Sequence, residues 1–348
     1  MKNLKLEKLP KKPFVSVCTP TFNRRPFIPI MLQCFENQTY PKDKIEWIII
    51  DDGDDKIEDL VSHIPQVKYF KYDEKMTLGR KRNLMHEKCS GDIIIYMDDD
   101  DYYPPERISH AVEALKINNK KLCAGSSEMY IYFKHIHKMY QFGPYGPNHS
   151  TAATFAFRKE LLQITSFDNN ACLAEERHFL KEYTIPMVQL DPLKTILVFS
   201  HNQNTFDKKS LLNTPNDTIK LSNKTIDNFM KEPEIKKFFM EDIDSILENY
   251  EPGNIKNKQD VIKQTEELQK NRMEQAIKNQ NQQNEYNEII NKIQKKSGVT
   301  LQYEQQINQM SIIIQELTLE NNQLKDKVKY FEDKIKKIIM EQIEKKKN

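Results

Sequence analysis

Four consecutive aspartates, Asp98 to Asp101, follow the apolar run Ile93-Ile94-Ile95-Tyr96-Met97. Clustered carboxylates suit a hard divalent cation such as Mg²⁺ or Mn²⁺, which prefers oxygen ligands and keeps water or phosphate in its shell. A second acidic set, Asp51-Asp52-Gly53-Asp54, also ends an apolar run, Trp47-Ile48-Ile49-Ile50. A third group, Glu175 and Glu176, opens a short helical pattern through Leu180. Acids in a helix's first turn are favourable in themselves, and one beside a reacting hydroxyl is also a general base. The bland alternative for the Asp98–Asp101 run is a solvated acidic turn. Against it, like charges repel, so a merely structural sheet gains little from gathering them at strand ends.

The elements that position these acids alternate strand and helix. Phe14–Cys18 is β-prone and ends at Pro20. Residues Arg25–Gln38 place Ile28, Met31, Leu32 and Phe35 at helical spacing. A strand over Glu46–Ile50, a helix near Ile57–Ile64, a strand at Val67–Tyr72, a helix over Gly79–Cys89 and a strand at Asp92–Met97 follow. This order predicts a mainly parallel α/β sheet with helices on both faces. Ligands bind such sheets at the carboxyl ends of strands, which is where the acids stand. The aromatic stretch Tyr130–Pro147 reads as a core hairpin or as a lip for a sugar acceptor.

Composition divides the chain of 348 residues. The only tryptophan, Trp47, and six of the eight glycines precede Ser200. Beyond Lys208 the chain is rich in Asn, Gln, Lys, Glu and Ile and cannot bury a core alone. The resulting domain expectation is a basic extension over 1–12, a catalytic domain over 13–207, a helical or linker extension over 208–255 and a helical region over 256–345. Within the last, 307–342 carries heptads. Ile307, Ile314, Asn321, Val328, Ile335 and Gln342 fall at a; Met310, Leu317, Leu324, Phe331 and Ile338 fall at d. In a parallel homodimer the pairs Glu320–Lys325, Lys327–Glu332 and Glu341–Lys346 attract, and Asn321 sets register. Lys295-Lys296-Ser297-Gly298 reads as a helix break.

The 53 basic and 51 acidic residues nearly balance, which argues against a general nucleic-acid binder. The five scattered cysteines form no CxxC pair and read as reduced thiols. The amino-terminal stretch lacks an apolar signal-peptide core, and no run is long enough to span a bilayer. A cytoplasmic protein is expected; the Asn, Lys and Ile bias of AT-rich genomes points to a protist or viral intracellular setting.

The ordered set Val15-Ser16-Val17-Cys18-Thr19-Pro20-Thr21-Phe22-Asn23-Arg24, Ile48-Ile49-Ile50-Asp51-Asp52-Gly53, Gly79-Arg80-Lys81-Arg82-Asn83 and Tyr96-Met97-Asp98-Asp99-Asp100-Asp101 resembles the family 2 glycosyltransferases of the GT-A fold. The resemblance covers about residues 13–207 and does not reach the tail. It implies a nucleotide-sugar donor, most simply a UDP-sugar, a Mn²⁺ or Mg²⁺ cofactor, and a glycan, protein or lipid acceptor. By position, Pro20, Thr21 and Asn23 would border the nucleoside and Asp52 would read the base. Arg80 and Arg82 are candidates for the ribose or diphosphate, with Arg82 preferred. The DxD signature maps onto Asp98 and Asp100, with Asp98 and Asp99 also facing the donor and Asp101 an alternative metal ligand. Glu176 takes the place of the base of an inverting enzyme and Glu175 is the runner-up; Glu here departs from the commoner Glu-Asp pair. His201, after the strand-like Thr195–Phe199, would be a further metal ligand, against the commoner role of a histidine as a structural hydrogen-bonder.

Two other functions compete. A catalytically inactive glycan- or nucleotide-binding module on a coiled-coil scaffold would be expected to have lost one of Asp52, Asp98, Asp100 and Glu176. A nucleotidyltransferase would carry a Gly-rich loop after the first strand, and Thr19–Arg24 has no glycine.

Overall fold

The computed structural model describes residues 8–213, 217–296 and 301–347. It divides into two compact units, Met1–Gln269 and Lys270–Asn348. Residues 1–7 of the expected basic extension, Ser297 and Gly298 of the expected break, and the side chains of Glu341, Gln342 and Lys346 lie outside the described residues.

Among the described residues eleven strands run in chain order: β1 (Val15–Thr21), β2 (Ile45–Asp51), β3 (Val67–Lys71), β4 (Ile93–Tyr96), β5 (Cys123–Gly125), β6 (Met129–Phe133), β7 (Lys138–Phe142), β8 (Ala156–Arg158), β9 (Met187–Gln189), β10 (Val198–Ser200) and β11 (Ile219–Leu221). Seven of them form the main sheet in the order β3-β2-β1-β4-β8-β5-β9. Its pairs are parallel except where β8 lies antiparallel to β4 and β5. The expected α/β class, a mainly parallel sheet flanked by helices, is what the chain adopts.

The uninterrupted apolar strands are explained by burial on both faces. Val15, Val17, Trp47, Ile49, Ile93 and Ile95 belong to one core cluster. Their alternates Cys18, Ile48, Ile50, Ile94 and Tyr96 belong to the other. Helix α1 (Ile28–Glu36) covers the first face, with Phe35 stacked on Trp47 at 4.1 Å between ring centres. Helix α2 (Glu58–Val61) adds Val61 to the same face. Helix α3 (Leu78–Lys88) presents Met85 to the second face, and α4 (Arg107–Ile117) returns to the first.

The connections through α1 and α2 carry the chain outward from β1 to β3. The connection through α3 then brings it back to β4 on the other side of β1. The order reverses between β1 and β4, and the crevice beyond their carboxyl ends is a topological switch point. Thr21 pairs with Asp51 in register, so Asp52 stands one residue past the edge; Asp98 follows β4 at the same end.

The Tyr130–Pro147 stretch forms the β6–β7 hairpin of a second sheet, ordered β10-β6-β7-β11. Tyr130, Tyr132, Phe133 and Phe142 are buried there, whereas Tyr145 is exposed. Helices α5 (Glu176–Phe179), α6 (Ile226–Phe229), α7 (Pro233–Lys237) and α8 (Ile243–Glu248) follow. The stretch expected as a helical or linker extension contains helices α6 to α8 and packs onto the domain: Ile226, Phe229, Met230, Ile235, Phe238, Phe239, Ile243 and Leu247 join the first core cluster. Its polar average conceals a dense local apolar block.

Two long helices complete the chain, α9 (Gln259–Lys296) and α10 (Leu301–Lys347). On α10 the heptad residues Met310, Ile314, Leu317, Leu324, Val328, Phe331, Ile335 and Ile338 are all exposed. Among the described residues no helix is long and apolar enough to cross a membrane. All five cysteines are buried and free.

Candidate active site

A cavity of about 120 Å³, open to solvent, occupies the switch point. Pro20, Thr21, Phe22 and Arg24 reach it from the end of β1, Lys81 and Arg82 from α3, and Asp98, Asp99 and Asp100 from the loop after β4. Asp52, Asn23, Asp101, Glu175, Glu176 and His201 do not line it; each is tied to it differently.

Asn23 sits at a φ of 54°, a left-handed conformation that Asn tolerates better than most residues. Its Nδ2 donates to the Pro252 carbonyl (3.0 Å) and its Oδ1 accepts from the Asp55 amide (3.0 Å). Gly53 permits this, since a Cβ there would lie 2.5 Å from the Asn23 backbone nitrogen. The side chain therefore braces the loop.

Asp52 is fully enclosed. The Met76 amide donates to Oδ2 (2.6 Å), and Lys81 pairs with Oδ1 while its Nζ also donates to the Thr21 carbonyl (3.0 Å). Burial lowers the pKa of Lys81, and the Asp52 carboxylate opposes that drop. Lys81, which sequence reasoning ranked below Arg80 and Arg82, thus joins the β1 edge to the β2 edge. Arg80 is exposed.

Arg82 lies 4.4 Å above the Tyr96 ring centre. Its Nε donates to Glu175 Oε1 (2.9 Å), and its terminal nitrogens reach the Asp98 carboxylate at 3.3 Å. Burial works against its charge, but Asp98 and Glu175 outweigh it and hold the guanidinium protonated. One arginine thereby links the DxD aspartate to the acidic pair at α5. The Asp98 amide in turn donates to the Tyr103 hydroxyl (2.7 Å).

The two glutamates differ. Glu175 is buried and engaged by Arg82. Glu176 is half-buried, and its pKa is pushed up to about 7, first by burial and then by the charge of Glu175. A carboxylate with that value is suited to accept a proton near neutral pH.

Arg24 carries no weight in the sequence reading, yet it is central here. It is buried, donates to the Gln203 carbonyl (2.7 Å), and meets Asp100 at 3.2 Å and Asp99 at 3.7 Å. Burial raises the Asp100 pKa, but Arg24 and then His201 bring it well below the usual range. Asp99 is pushed up to about 7 by burial against Arg24. Burial and the Asp100 charge raise Asp101 well above the ordinary value.

His201 Nε2 lies 3.3 Å from Asp100 Oδ2, and its Nδ1 accepts from the Gln203 amide (3.3 Å). Burial lowers its pKa to about 4, so the ring is neutral; with Nδ1 accepting, Nε2 carries the proton and donates towards Asp100, and ligating a metal there would need the other tautomer. Among the described residues no group of three His, Cys, Asp or Glu side chains is arranged to hold an ion. The donor set fits a divalent cation held by two protein ligands, Asp100 and His201, with the orphan Asp99 Oδ2 nearby and phosphate or water completing the shell. Arg24 already shares those carboxylates, so such an ion would act beside a fixed guanidinium.

Residues 16–178 match the model of "Glycosyl transferase family 2". They form a family 2-like glycosyltransferase domain. A curated relative described as an uncharacterized glycosyltransferase of Haemophilus influenzae is 25% identical over 105 residues, covering 30% of this chain and 35% of its own. The match therefore spans about a third of that relative's length. Among solved structures, Staphylococcus aureus TarS 1-349 in complex with UDP-GlcNAc aligns with a TM-score of 0.41 and 17% identity over 53% of this chain and 58% of its own. A mannosyltransferase from Pyrobaculum calidifontis in complex with GDP-Man and Mn²⁺ aligns at 0.45 and 15% over 70% and 72%.

Proposed function

We propose that the protein transfers a sugar from a UDP-sugar to a hydroxyl of a glycan, protein or lipid acceptor, with inversion at the anomeric carbon. The observation that carries this reading is the convergence of Asp98, Asp99, Asp100, Arg24, Lys81 and Arg82 on one cavity at the switch point of the glycosyltransferase domain. Alternating acids and cations suit a nucleoside diphosphate, whose phosphates need cations and whose ribose hydroxyls need acceptors. Pro20 and Thr21 flank the nucleoside; Asp52, enclosed between the Met76 amide and Lys81, holds Lys81 at the β2 edge in place of meeting the base itself.

Glu176 takes the acceptor hydroxyl's proton as that oxygen bonds to the anomeric carbon and the bond to the diphosphate oxygen breaks. Glu175 is the weaker candidate because Arg82 holds it. Arg82 and Arg24 stabilise charge developing on the departing diphosphate. Asp100 and His201 would hold Mn²⁺ or Mg²⁺, with Asp98 kept at the donor by Arg82; the ion when bound supplies Lewis-acid stabilisation of that leaving group. Asp100 is favoured over Asp101, since it borders the cavity and faces His201. The exposed heptad stripe of α10 supports a parallel homodimer.

The test is a panel of nucleotide sugars incubated with Mn²⁺ or Mg²⁺ while free nucleoside diphosphate is measured, with Asp100→Ala in parallel. Metal-dependent release that vanishes in Asp100→Ala is expected. If the wild type neither binds nor cleaves any donor, the inactive scaffold becomes the better account.

A further inference from the structure

The cavity has a wall from outside the family-matched segment. Lys258, Asp260 and Val261, where the chain enters α9, line it together with Thr205. Lys258 is buried, and its Nζ donates to the Thr205 hydroxyl (3.2 Å). Among the described residues no carboxylate lies within ion-pair distance of it. Asp99 and Asp100 act on it only from farther off, and Arg24 repels it. Burial, and then Arg24, lower the pKa of Lys258 to about 6, so near neutral pH the free protein holds mostly the neutral amine and its ammonium form is the unfavourable one. It becomes favourable when an anion enters the cavity.

The segment is held in place by its neighbours. Asp260 pairs with Lys75 of the loop before α3. Gln264 Oε1 accepts from the Cys172 and Leu173 amides (2.7 and 2.9 Å). The loop so fastened is the one that leads into Glu175 and Glu176. The amino-terminal end of α9 faces the same space, and its dipole favours negative charge.

We propose that Lys258 binds the diphosphate of the nucleotide donor, so that the start of α9 is part of the donor site. This rests on the reading of the cavity as a nucleotide-sugar site. Arg24 and Lys258 would then grip the phosphates from opposite ends of the chain, and the Asp260–Lys75 and Gln264 contacts would keep Lys258 within reach.

The experiment measures binding of UDP and GDP to the full chain by calorimetry, and of uridine and guanosine by ligand-observed NMR, in wild type, Lys258→Met and Lys258→Arg. For whichever diphosphate the wild type binds, Lys258→Met is expected to weaken affinity roughly 10–100-fold, while Lys258→Arg recovers part of it. Affinity for the nucleoside stays unchanged. The melting temperature of ligand-free Lys258→Met does not fall, because Met fills similar space and leaves no buried amine to desolvate. Unchanged diphosphate affinity in Lys258→Met overturns the proposal and leaves the cavity's assignment standing. A parallel loss for nucleoside and diphosphate with a lowered melting temperature also overturns it, in favour of a packing role. A wild type that binds neither diphosphate overturns both.

Discussion

Glu176→Gln should make the protein more stable and inactive at once. The Glu176 carboxyl has its pKa raised from 4.5 to about 7 by burial and by Glu175. The folded value exceeds the unfolded one, so the sign of the effect on stability is set. Below the unfolded value both states hold the proton, and the group is neutral to folding. As pH rises towards about 7, the unfolded chain releases the proton while the folded chain keeps it, and stability falls. Above that range the penalty is complete. The step from 4.5 to about 7 amounts to ~3 kcal/mol at about 1.4 kcal/mol per pH unit. Partial exposure of the side chain reduces this to about 1–3 kcal/mol. Urea unfolding of Glu176→Gln should therefore show a gain of about 1–3 kcal/mol at pH 8, and a difference within about 0.5 kcal/mol at pH 4.5. The same protein should lose about 10²–10⁴-fold in kcat for nucleoside diphosphate release with acceptor present, because the proton acceptor is gone. In wild type, kcat/KM should rise through an apparent pKa near 7. Glu175→Gln should move that limb to lower pH, because the neighbouring like charge that raises the Glu176 pKa is lost. A Glu176→Gln protein that is less stable at pH 8, or that keeps its rate within about threefold, refutes the reasoning.

Removing Arg82 leaves the Glu175 and Asp98 carboxylates without their shared cation, so Arg82→Met should cost about 3–5 kcal/mol in urea unfolding. Arg82→Met combined with Glu175→Gln should cost less than the sum of the single changes, and strict additivity would deny the pairing. Gly79→Ala puts a Cβ 1.9 Å from the Asp168 carbonyl oxygen, so it should cost about 1–3 kcal/mol and lower kcat by shifting the loop that leads to Glu176. Leu317→Glu with Leu324→Glu places charges at two heptad d positions of α10; sedimentation should report a dimer for wild type and a monomer for the variant.

Much of this architecture is legible in residue order alone. The strand ends at Thr21, Asp51 and Tyr96 fall within three residues of their expected places, because Val, Ile and Trp buried on both faces permit few other conformations. The switch point then follows from topology, and with it the meeting of Pro20, Thr21, Arg82 and Asp98 to Asp100. What period and composition conceal is the last strand of the second sheet, β11, and the contribution of residues 226–247. A strand of three residues such as β11 leaves almost no periodic signal. The Phe199–Phe239 stack, at 4.2 Å, joins residues whose proximity no local pattern announces.

The harder lesson concerns which charge meets which. The sequence presents Arg24, Lys81 and Lys258 as three cations among 53 basic residues. Nothing local separates them from solvated lysines and arginines. Only the fold makes them buried, and burial makes each one's partner decisive. Lys81 is matched by Asp52 and Arg24 by Asp100, while Lys258 has a hydroxyl alone. A cleft that adds to the matched cations Arg24, Lys81 and Arg82 an amine with no counter-ion is primed for an anion. The excess sits at the start of α9, where the family resemblance gave no reason to look. The carboxylates of the DxD run are legible because they are adjacent in sequence. The positive charge that answers a diphosphate is assembled from residues 24, 81, 82 and 258, and is visible only once the chain has closed around it.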